Sequence, residues 1–220
     1  EGRISSIFQS GRKKIPDGAE IIDLNGKYIM PGMIDSHVHL MTRERTPEIT
    51  RAVLRFALLG GVTTVRDMGG NGAKLAELNR EFQNGSLQSP RIYYSAVMSG
   101  KESRWFDGSY LSYASNGMPL GEAPWARAIM NGSDVVKIIS DAKATGATAI
   151  KLYSHLQPEM IIRLSREARR QNMQVWGHSL ISESKPGNLV RAGVQVLSHA
   201  DGLVGEGLSS TKEIDRDHAK

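Results

Sequence analysis

The chain has 220 residues, a formal net charge of +5, 40% hydrophobic residues and no cysteine. No apolar run approaches the roughly 20 residues that a transmembrane helix needs, and disulfide bonds and cysteine-ligated metals are excluded. The basic residues are spread along predicted helix faces with few aromatic residues among them, which argues against nucleic acid as a partner. We expect an α/β protein of the cytoplasm without a membrane partner, and only a signal peptide preceding Glu1 would change that location.

The chain divides by its patterns into two predicted domains. Residues 1–30 contain short β-prone runs around Ile4, Ile7 and residues 21–24, and they resemble part of a small β-domain. Residues 31–220 alternate between strand and helix patterns. Because the sequence has no initiator methionine and starts as if within a hairpin, we expect it to be truncated at both ends.

The first strand of the second domain ends in His37-Val-His39. Alternate side chains of a strand share one face, so the two imidazoles point the same way, about 7 Å apart along the strand. That separation lets both rings reach one metal ion. The alternative is a pair of ordinary histidines that are exposed or hydrogen-bonded within the fold.

Helices are predicted between the strands from apolar spacing and capping residues. Thr46 is placed to cap a helix that stops at Gly60, and Ser133 is expected to cap a later one. A further helix is expected to turn both Ile161 and Ile162 toward the sheet.

Six strands follow from the pattern, at residues 34–39, 62–65, 91–95, 147–151, 173–178 and 194–199. Strands that alternate with helices build a parallel sheet, and a closed (β/α)8 barrel takes roughly 250 residues. We therefore predict an α/β fold, a partial (β/α)8 TIM-type barrel of about six strands. In such barrels the functional residues follow the carboxyl ends of strands, and here Lys151, His178 and His199 occupy such ends.

Two runs carry a family resemblance, Glu20-Ile-Ile-Asp-Leu-Asn-Gly-Lys-Tyr-Ile-Met-Pro-Gly-Met-Ile-Asp-Ser-His-Val-His-Leu40 and Gly60-Gly-Val-Thr-Thr-Val-Arg-Asp67. They resemble the metal-dependent amidohydrolase superfamily, in its imidazolonepropionase-like and prolidase-like branch. The resemblance covers nearly the whole chain, and the metal ligands of that family fall in order on five residues: His37, His39, Lys151, His178 and His199. It implies one or two divalent ions, zinc first, with Lys151 carbamylated so that it bridges them.

The activity implied by the resemblance is hydrolysis of an amide, peptide or cyclic amide C–N bond by a metal-activated water. The family's general base is an aspartate on the eighth strand, and Asp201 and Asp215 follow the sixth strand too closely to supply it. We therefore expect a fragment of an active hydrolase. The alternative is an inactive partial barrel that binds metal or pairs with another subunit. Under either hypothesis, the open edge of the incomplete sheet predicts a homo-oligomer.

Loops after the strands are the natural walls of a substrate pocket, so residues 98–110 are expected to line it. Arg104 in that stretch, and Tyr153 and His155 just past Lys151, are the candidate substrate-binding residues. The expected substrate is a small molecule such as a dipeptide, an N-acyl amino acid or a cyclic amide. The alternatives are an ordinary loop arginine, a tyrosine packed at the barrel rim and a polar loop histidine.

Overall fold

The computed structural model describes residues 3–42, 46–103 and 114–207. Contacts divide the chain into two units, Glu1–Pro31 and Gly32–Lys220. Residues 3–31 contain turns but no strand, so the predicted β-runs are not formed there. An extended segment is a strand only when it pairs with a neighbour, and these residues have no ladder partner within the described part of the chain. The small β-domain itself stays a prediction.

The described residues of the second unit form eight strands, five α-helices and a 3₁₀ helix. The strands are β1 (Met33–Val38), β2 (Val62–Asp67), β3 (Arg91–Gly100), β4 (Glu122–Ala123), β5 (Ala126–Ile129), β6 (Ala149–Leu152), β7 (Gln174–His178) and β8 (Val196–Ser198). The helices are α1 (Pro47–Leu59), α2 (Gly72–Gln83), α3 (Val135–Ala144), α4 (Pro158–Arg170), α5 (Pro186–Arg191) and the 3₁₀ helix Ala200–Gly207. No helix in these described stretches is both long and apolar enough to cross a membrane.

Six of the strands form a parallel sheet in the order β1-β2-β3-β6-β7-β8. The sheet curves until its two edge strands approach, and the ring of His37 at the end of β1 lies 4.7 Å from that of His199 after β8. The predicted partial TIM-type barrel is therefore confirmed, with the six strands near their predicted positions.

The hairpin of β4 and β5 was not predicted. β5 pairs in parallel with the last residues of β3, beyond the residues of β3 that pair with β2. Met98 and Gly100 are consequently buried strand residues, and the prediction that they belong to a pocket-lining loop is wrong. Trp125, in the hairpin turn, packs on the start of α2, where a Cβ at Gly72 would lie 2.6 Å from the Trp125 Cβ.

Helix starts follow the capping rules, but one capping residue lies one position later than predicted. The Thr46 side chain accepts a hydrogen bond from the Ile49 N–H at 3.3 Å, as predicted. The cap predicted at Ser133 is wrong, because Asp134 accepts from the Lys137 N–H at 3.1 Å. A carboxylate also interacts favourably with the positive end of the helix dipole, which makes Asp134 the better cap.

The main hydrophobic core lies between the helices and the outer face of the barrel. Leu54, Ile139 and Ile161 from the helices pack in one cluster with Ile150 and Val175 from the strands. The barrel interior holds a smaller apolar cluster of Met68, Ala149 and Trp176. Most of the buried apolar residues therefore pack between the helices and the sheet, and Lys151 shares the interior with the smaller cluster.

The inward face of α4 differs from its prediction at one residue. Ile161 is 0% exposed, whereas Ile162 is 42% exposed. Neighbouring residues on a helix differ by about 100° in direction, so Ile162 points away when Ile161 and Leu164 face the sheet.

We predict that Ile161→Ala lowers the free energy of unfolding by about 2–5 kcal/mol, since it removes buried methyl groups and leaves a cavity. The matched variant Ile162→Ala, one residue away on the exposed side, should change it by about 0.5 kcal/mol. Urea unfolding followed by circular dichroism measures both. Equal losses in the two variants would contradict the packing described for α4.

Candidate metal centre

Four histidines meet at the carboxyl-terminal rim of the barrel. His37 lies in β1 and His39 just after it, His178 ends β7, and His199 follows β8. The ring centroids are 5.2 Å apart for His37 and His39, 4.7 Å for His37 and His199, and 4.4 Å for His178 and His199. The structure therefore brings together all four predicted histidines from three separate strands.

The spacing of His37 and His39 suits a shared metal ion. Their Nε2 atoms are 3.3 Å apart. Two nitrogens on one tetrahedral zinc, each at about 2.0–2.1 Å, are themselves separated by about 3.3 Å. The His39 Nδ1 donates to the Gly69 carbonyl at 2.9 Å, which leaves Nε2 as the lone-pair nitrogen of the neutral ring. The donor set of this pair fits a divalent cation.

His178 and His199 are arranged differently. Their rings are stacked, with an interplanar angle of 26°. His199 has a left-handed backbone (φ 65°), held by a hydrogen bond from the Ser179 hydroxyl to the His199 carbonyl. Within residues 3–42, 46–103 and 114–207, no three His, Cys, Asp or Glu side chains are grouped so as to hold a metal ion. The stacked rings of His178 and His199 do not both point toward the position between the Nε2 atoms of His37 and His39. One of these two rings would therefore have to rotate before it could bind the same ion.

All four histidines are biased toward the neutral form. Burial, and secondly the Lys151 charge, lower the pKa of His37 to about 3 and that of His178 to about 4. Burial is also the main cause that lowers the pKa values of His39 and His199. A neutral imidazole is the protonation state that binds metals, so at pH 7 these rings need lose no proton to do so.

Lys151 lies inside the barrel on β6 and is 2% exposed. Burial lowers the pKa of its amine to about 8, with Asp67 opposing this shift and Arg66 adding to it. In the described part of the chain no carboxylate lies within 4 Å of the Lys151 Nζ. A buried lysine without a paired anion carries a large fraction of neutral amine near pH 8.

The predicted substrate-binding residues are placed differently from one another. Tyr153 is near the cluster, with its ring 5.3 Å from that of His178 and 5.8 Å from the Lys151 Nζ. His155 has a left-handed backbone (φ 54°), and its Nδ1 is buried without a hydrogen-bond partner among the described residues. Its backbone carbonyl lies where a Cβ at Gly100 would be, so it packs against the end of β3. Arg104 lies outside the described residues.

Two residues at the rim were missed as site residues. Gly69 supplies the carbonyl that orients His39, and Asp67 is a fully buried carboxylate at the end of β2. Burial raises the pKa of Asp67 to about 7, while hydrogen bonds from the Leu40 and Gly69 N–H groups oppose that shift. The sequence signal that could have identified Asp67 is its position, since a carboxylate that ends an apolar strand lies at the functional rim of a parallel barrel.

We predict that the metal-free protein loses stability as the pH falls below about 6.5. The unfolded chain then protonates His37 and His178 while the folded state keeps them neutral, so protons favour unfolding down to the folded pKa values of about 3 and 4. Each histidine adds at most about 1.4 kcal/mol per pH unit to this dependence. Urea unfolding in EDTA at pH 7.5, 6.5 and 5.5 measures the slope, and His37→Gln/His178→Gln should flatten it. A slope unchanged in the double variant would contradict the assignment.

Known proteins match parts of this chain. Mitochondrial allantoinase from Aquarana catesbeiana is 38% identical over 69 residues, which are 31% of this chain and 14% of that protein. Enamidase from Eubacterium barkeri is 28% identical over 111 residues, which are 44% of this chain and 29% of that protein.

Two solved structures share the fold over most of the chain. A prolidase complexed with N-methylphosphonate-L-proline matches with a TM-score of 0.67 at 24% identity, covering 94% of this chain and 56% of its own. Phenylurea hydrolase B matches with a TM-score of 0.68 at 19% identity, covering 94% and 55%. At these identities the likeness shows the fold alone, and this chain spans about half the length of either structure.

The family follows from the sequence comparison over the barrel. Residues 28–214 match the Amidohydrolase family, a span that contains all four rim histidines and Lys151. The chain therefore belongs to the Amidohydrolase family.

Proposed function

We propose that this chain carries the metal centre of a hydrolase that cleaves a C–N bond in a small molecule. The observation that carries the proposal is the 3.3 Å separation of the His37 and His39 Nε2 atoms, which matches two ligands on one zinc ion. Family membership supports it, as do the names of relatives such as allantoinase and enamidase.

The residues proposed to hold the metal are the four rim histidines and Lys151. His37 and His39 hold a first divalent cation, zinc by preference, and His178 and His199 hold a second after their rings rotate apart. A divalent cation there would supply an activated water and would polarise the carbonyl under attack. The histidines are neutral at pH 7, so they can bind the cation without first losing protons.

Lys151 is proposed to act in its carbamylated form. Its lowered pKa of about 8 keeps part of the side chain as a free amine, and a free amine is the form that adds to carbon dioxide. Addition of the neutral amine to carbon dioxide forms an N–C bond and releases one proton, so the neutral amine becomes an anionic carbamate. Starting from the ammonium cation, two protons are released in all. An anionic group at this point would attract divalent cations, whereas the ammonium form repels them.

The proposed substrate is a dipeptide, an N-acyl amino acid or a cyclic amide. The position of Tyr153 supports a substrate pocket beside the histidine cluster, because the Tyr153 ring lies near both the His178 ring and the Lys151 Nζ. The Tyr153 hydroxyl is proposed to donate to the substrate carbonyl, and His155 and Arg104 are proposed as further substrate-binding residues.

The first test is metal content after dialysis. We predict about one or two equivalents of zinc per chain in the wild type and the loss of at least one of them in His37→Ala/His39→Ala, because the double variant removes the pair with ligand spacing. His155→Ala is the matched control, since it removes a histidine without ring contact to the cluster, and it should keep its metal. Elemental analysis of all three measures this, and equal metal in the double variant and the wild type would overturn the site.

Turnover separates the hydrolase from an inactive metal-binding barrel. Zinc-loaded protein is assayed with dipeptides, N-acyl amino acids and cyclic amides, with bicarbonate present so that Lys151 can be carbamylated. Hydrolysis that is lost in Lys151→Met supports the proposal. Bound metal without hydrolysis of any member of the panel would favour the inactive barrel.

We also propose that the chain forms a homo-oligomer through α1. The outer side of this helix exposes Ile49 (52%), Phe56 (74%) and Leu59 (82%), which together form an apolar surface. A second copy of the same helix would cover this surface by an isologous contact.

We predict that sedimentation velocity shows a dimer or larger species for the wild type and a monomer for Phe56→Glu, because a charge at the centre of this surface opposes burial. Tyr28→Glu is the control, since Tyr28 is fully exposed outside α1 and its replacement should leave the oligomer intact. A monomeric wild type would contradict this proposal.

A further inference from the structure

Asp67 is the last residue of β2, and its carboxylate is 0% exposed. Both oxygens accept backbone hydrogen bonds, Oδ2 from the Leu40 N–H at 2.6 Å and Oδ1 from the Gly69 N–H at 2.9 Å. The two donors belong to different loops, one after β1 and one after β2. The carboxylate therefore joins the two loops at the rim.

Both of its partners act directly on His39. Leu40 is the next residue along the chain, so its N–H belongs to the peptide that follows His39. Gly69 presents to the His39 Nδ1 the carbonyl that orients the ring, at 2.9 Å. Gly69 has a φ of 133°, a conformation open to glycine and strained for other residues. The His39 ring is thus oriented by the carbonyl of Gly69, the residue whose own N–H is held by Asp67.

The same two loops are joined by backbone bonds as well. The Met68 N–H donates to the Val38 carbonyl at 2.9 Å, and the Asn71 N–H donates to the Met41 carbonyl at 2.9 Å. These bonds hold the loops together on either side of the carboxylate. Loss of the carboxylate would therefore disturb the local geometry of His39 more than the fold as a whole.

Asp67 is not placed to react with a substrate. It is buried, and each of its oxygens already accepts a backbone N–H. A role in the chemistry of the site must therefore pass through another residue, and His39 is the rim histidine to which its partners lead.

We propose that Asp67 is a positioning residue that fixes the ring orientation and the tautomer of His39, and thereby sets the affinity of the rim histidines for a divalent cation. The inference rests on the proposed function, since it takes His37 and His39 as a cation site. Hydrogen-bonding partners of metal-ligating histidines typically contribute 10- to 100-fold to metal affinity. Asp67 acts one step beyond such a partner, by holding the backbone of Gly69 at its N–H.

The test is Asp67→Asn, which keeps the shape of the side chain but replaces one accepting oxygen by a donor. Titration with zinc against a chromophoric chelator at pH 7 should show about a 10-fold or greater loss of affinity. Nitrogen-15 NMR of the metal-free protein gives a second readout. It should show His39 as the Nδ1–H tautomer in the wild type and as a mixture of tautomers in the variant.

Two further variants keep the outcome decisive. Tyr94→Phe removes another buried hydrogen bond, from the Tyr94 hydroxyl to the Thr145 carbonyl, away from the rim, and should leave zinc affinity unchanged. Gly69→Ala disturbs the backbone of the residue that Asp67 holds, without changing Asp67, and should weaken zinc binding as Asp67→Asn does. It covers the case in which Asp67→Asn fails to fold.

The outcomes separate the two proposals. A wild type that binds no zinc would overturn the proposed function itself. A wild type that binds zinc, with unchanged affinity and His39 tautomer in Asp67→Asn, would overturn the role of Asp67 and leave the proposed function standing. Equal loss of affinity in Asp67→Asn and Tyr94→Phe would show a general effect of stability and would also overturn it.

Discussion

The curvature of the parallel sheet is the constraint on which the site depends. Six strands laid side by side in a flat sheet would separate the two edges by about 24 Å, given the usual spacing between neighbours. In the barrel the edge strands contribute His37 and His199, whose rings are 4.7 Å apart. Parallel pairing adds the second condition, because it brings every carboxyl end to the same rim. A histidine pair from one strand becomes a four-histidine cluster only when both conditions hold.

The positive charges of Lys151 and Arg66 would oppose a cation at the rim, and loss of the Lys151 charge would remove part of that opposition. Lys151 and Arg66 both project into the interior, and Arg66 stacks on Trp176 at 4.8 Å. Burial already lowers the pKa of Lys151, and the same burial holds the histidines neutral. A neutral or anionic Lys151 would be compatible with a divalent ion at the rim, whereas the positively charged ammonium form would repel it. The charge of this lysine would therefore decide whether the rim can accept a divalent cation.

Much of the barrel could be predicted from the sequence because its signals are local. The strands were marked by apolar β-prone runs, and Thr46 marked the start of α1. The proximity of the histidines also followed, since each ends a strand of a parallel sheet. Ser133 failed as a cap because Asp134 is a stronger acceptor one residue later, and Ile162 failed because a helix turns by about 100° per residue.

Other features depended on long-range pairing and were beyond local patterns. The β4–β5 hairpin consists of very short strands, and it forms because the end of β3 has an edge that β2 leaves unpaired. The stacking of His178 on His199 is set by the backbone of the segment after β8. The contact between His39 and the Gly69 carbonyl joins residues 30 positions apart. Spacing alone indicates which rings meet, and it does not give their rotamers.

The β4–β5 hairpin packs close to the segment that supplies the hydrogen-bond partner of His39. Trp125 lies against Gly72 so closely that no side chain fits between them, and Gly72 is the first residue of α2. The chain between β2 and α2 is short, and it contains Gly69. The contact between Trp125 and the helix start therefore lies three residues from the carbonyl that orients His39. A side chain larger than glycine at residue 72 would have to displace either Trp125 or the start of α2, so the hairpin and the segment that contains the His39 partner are constrained together.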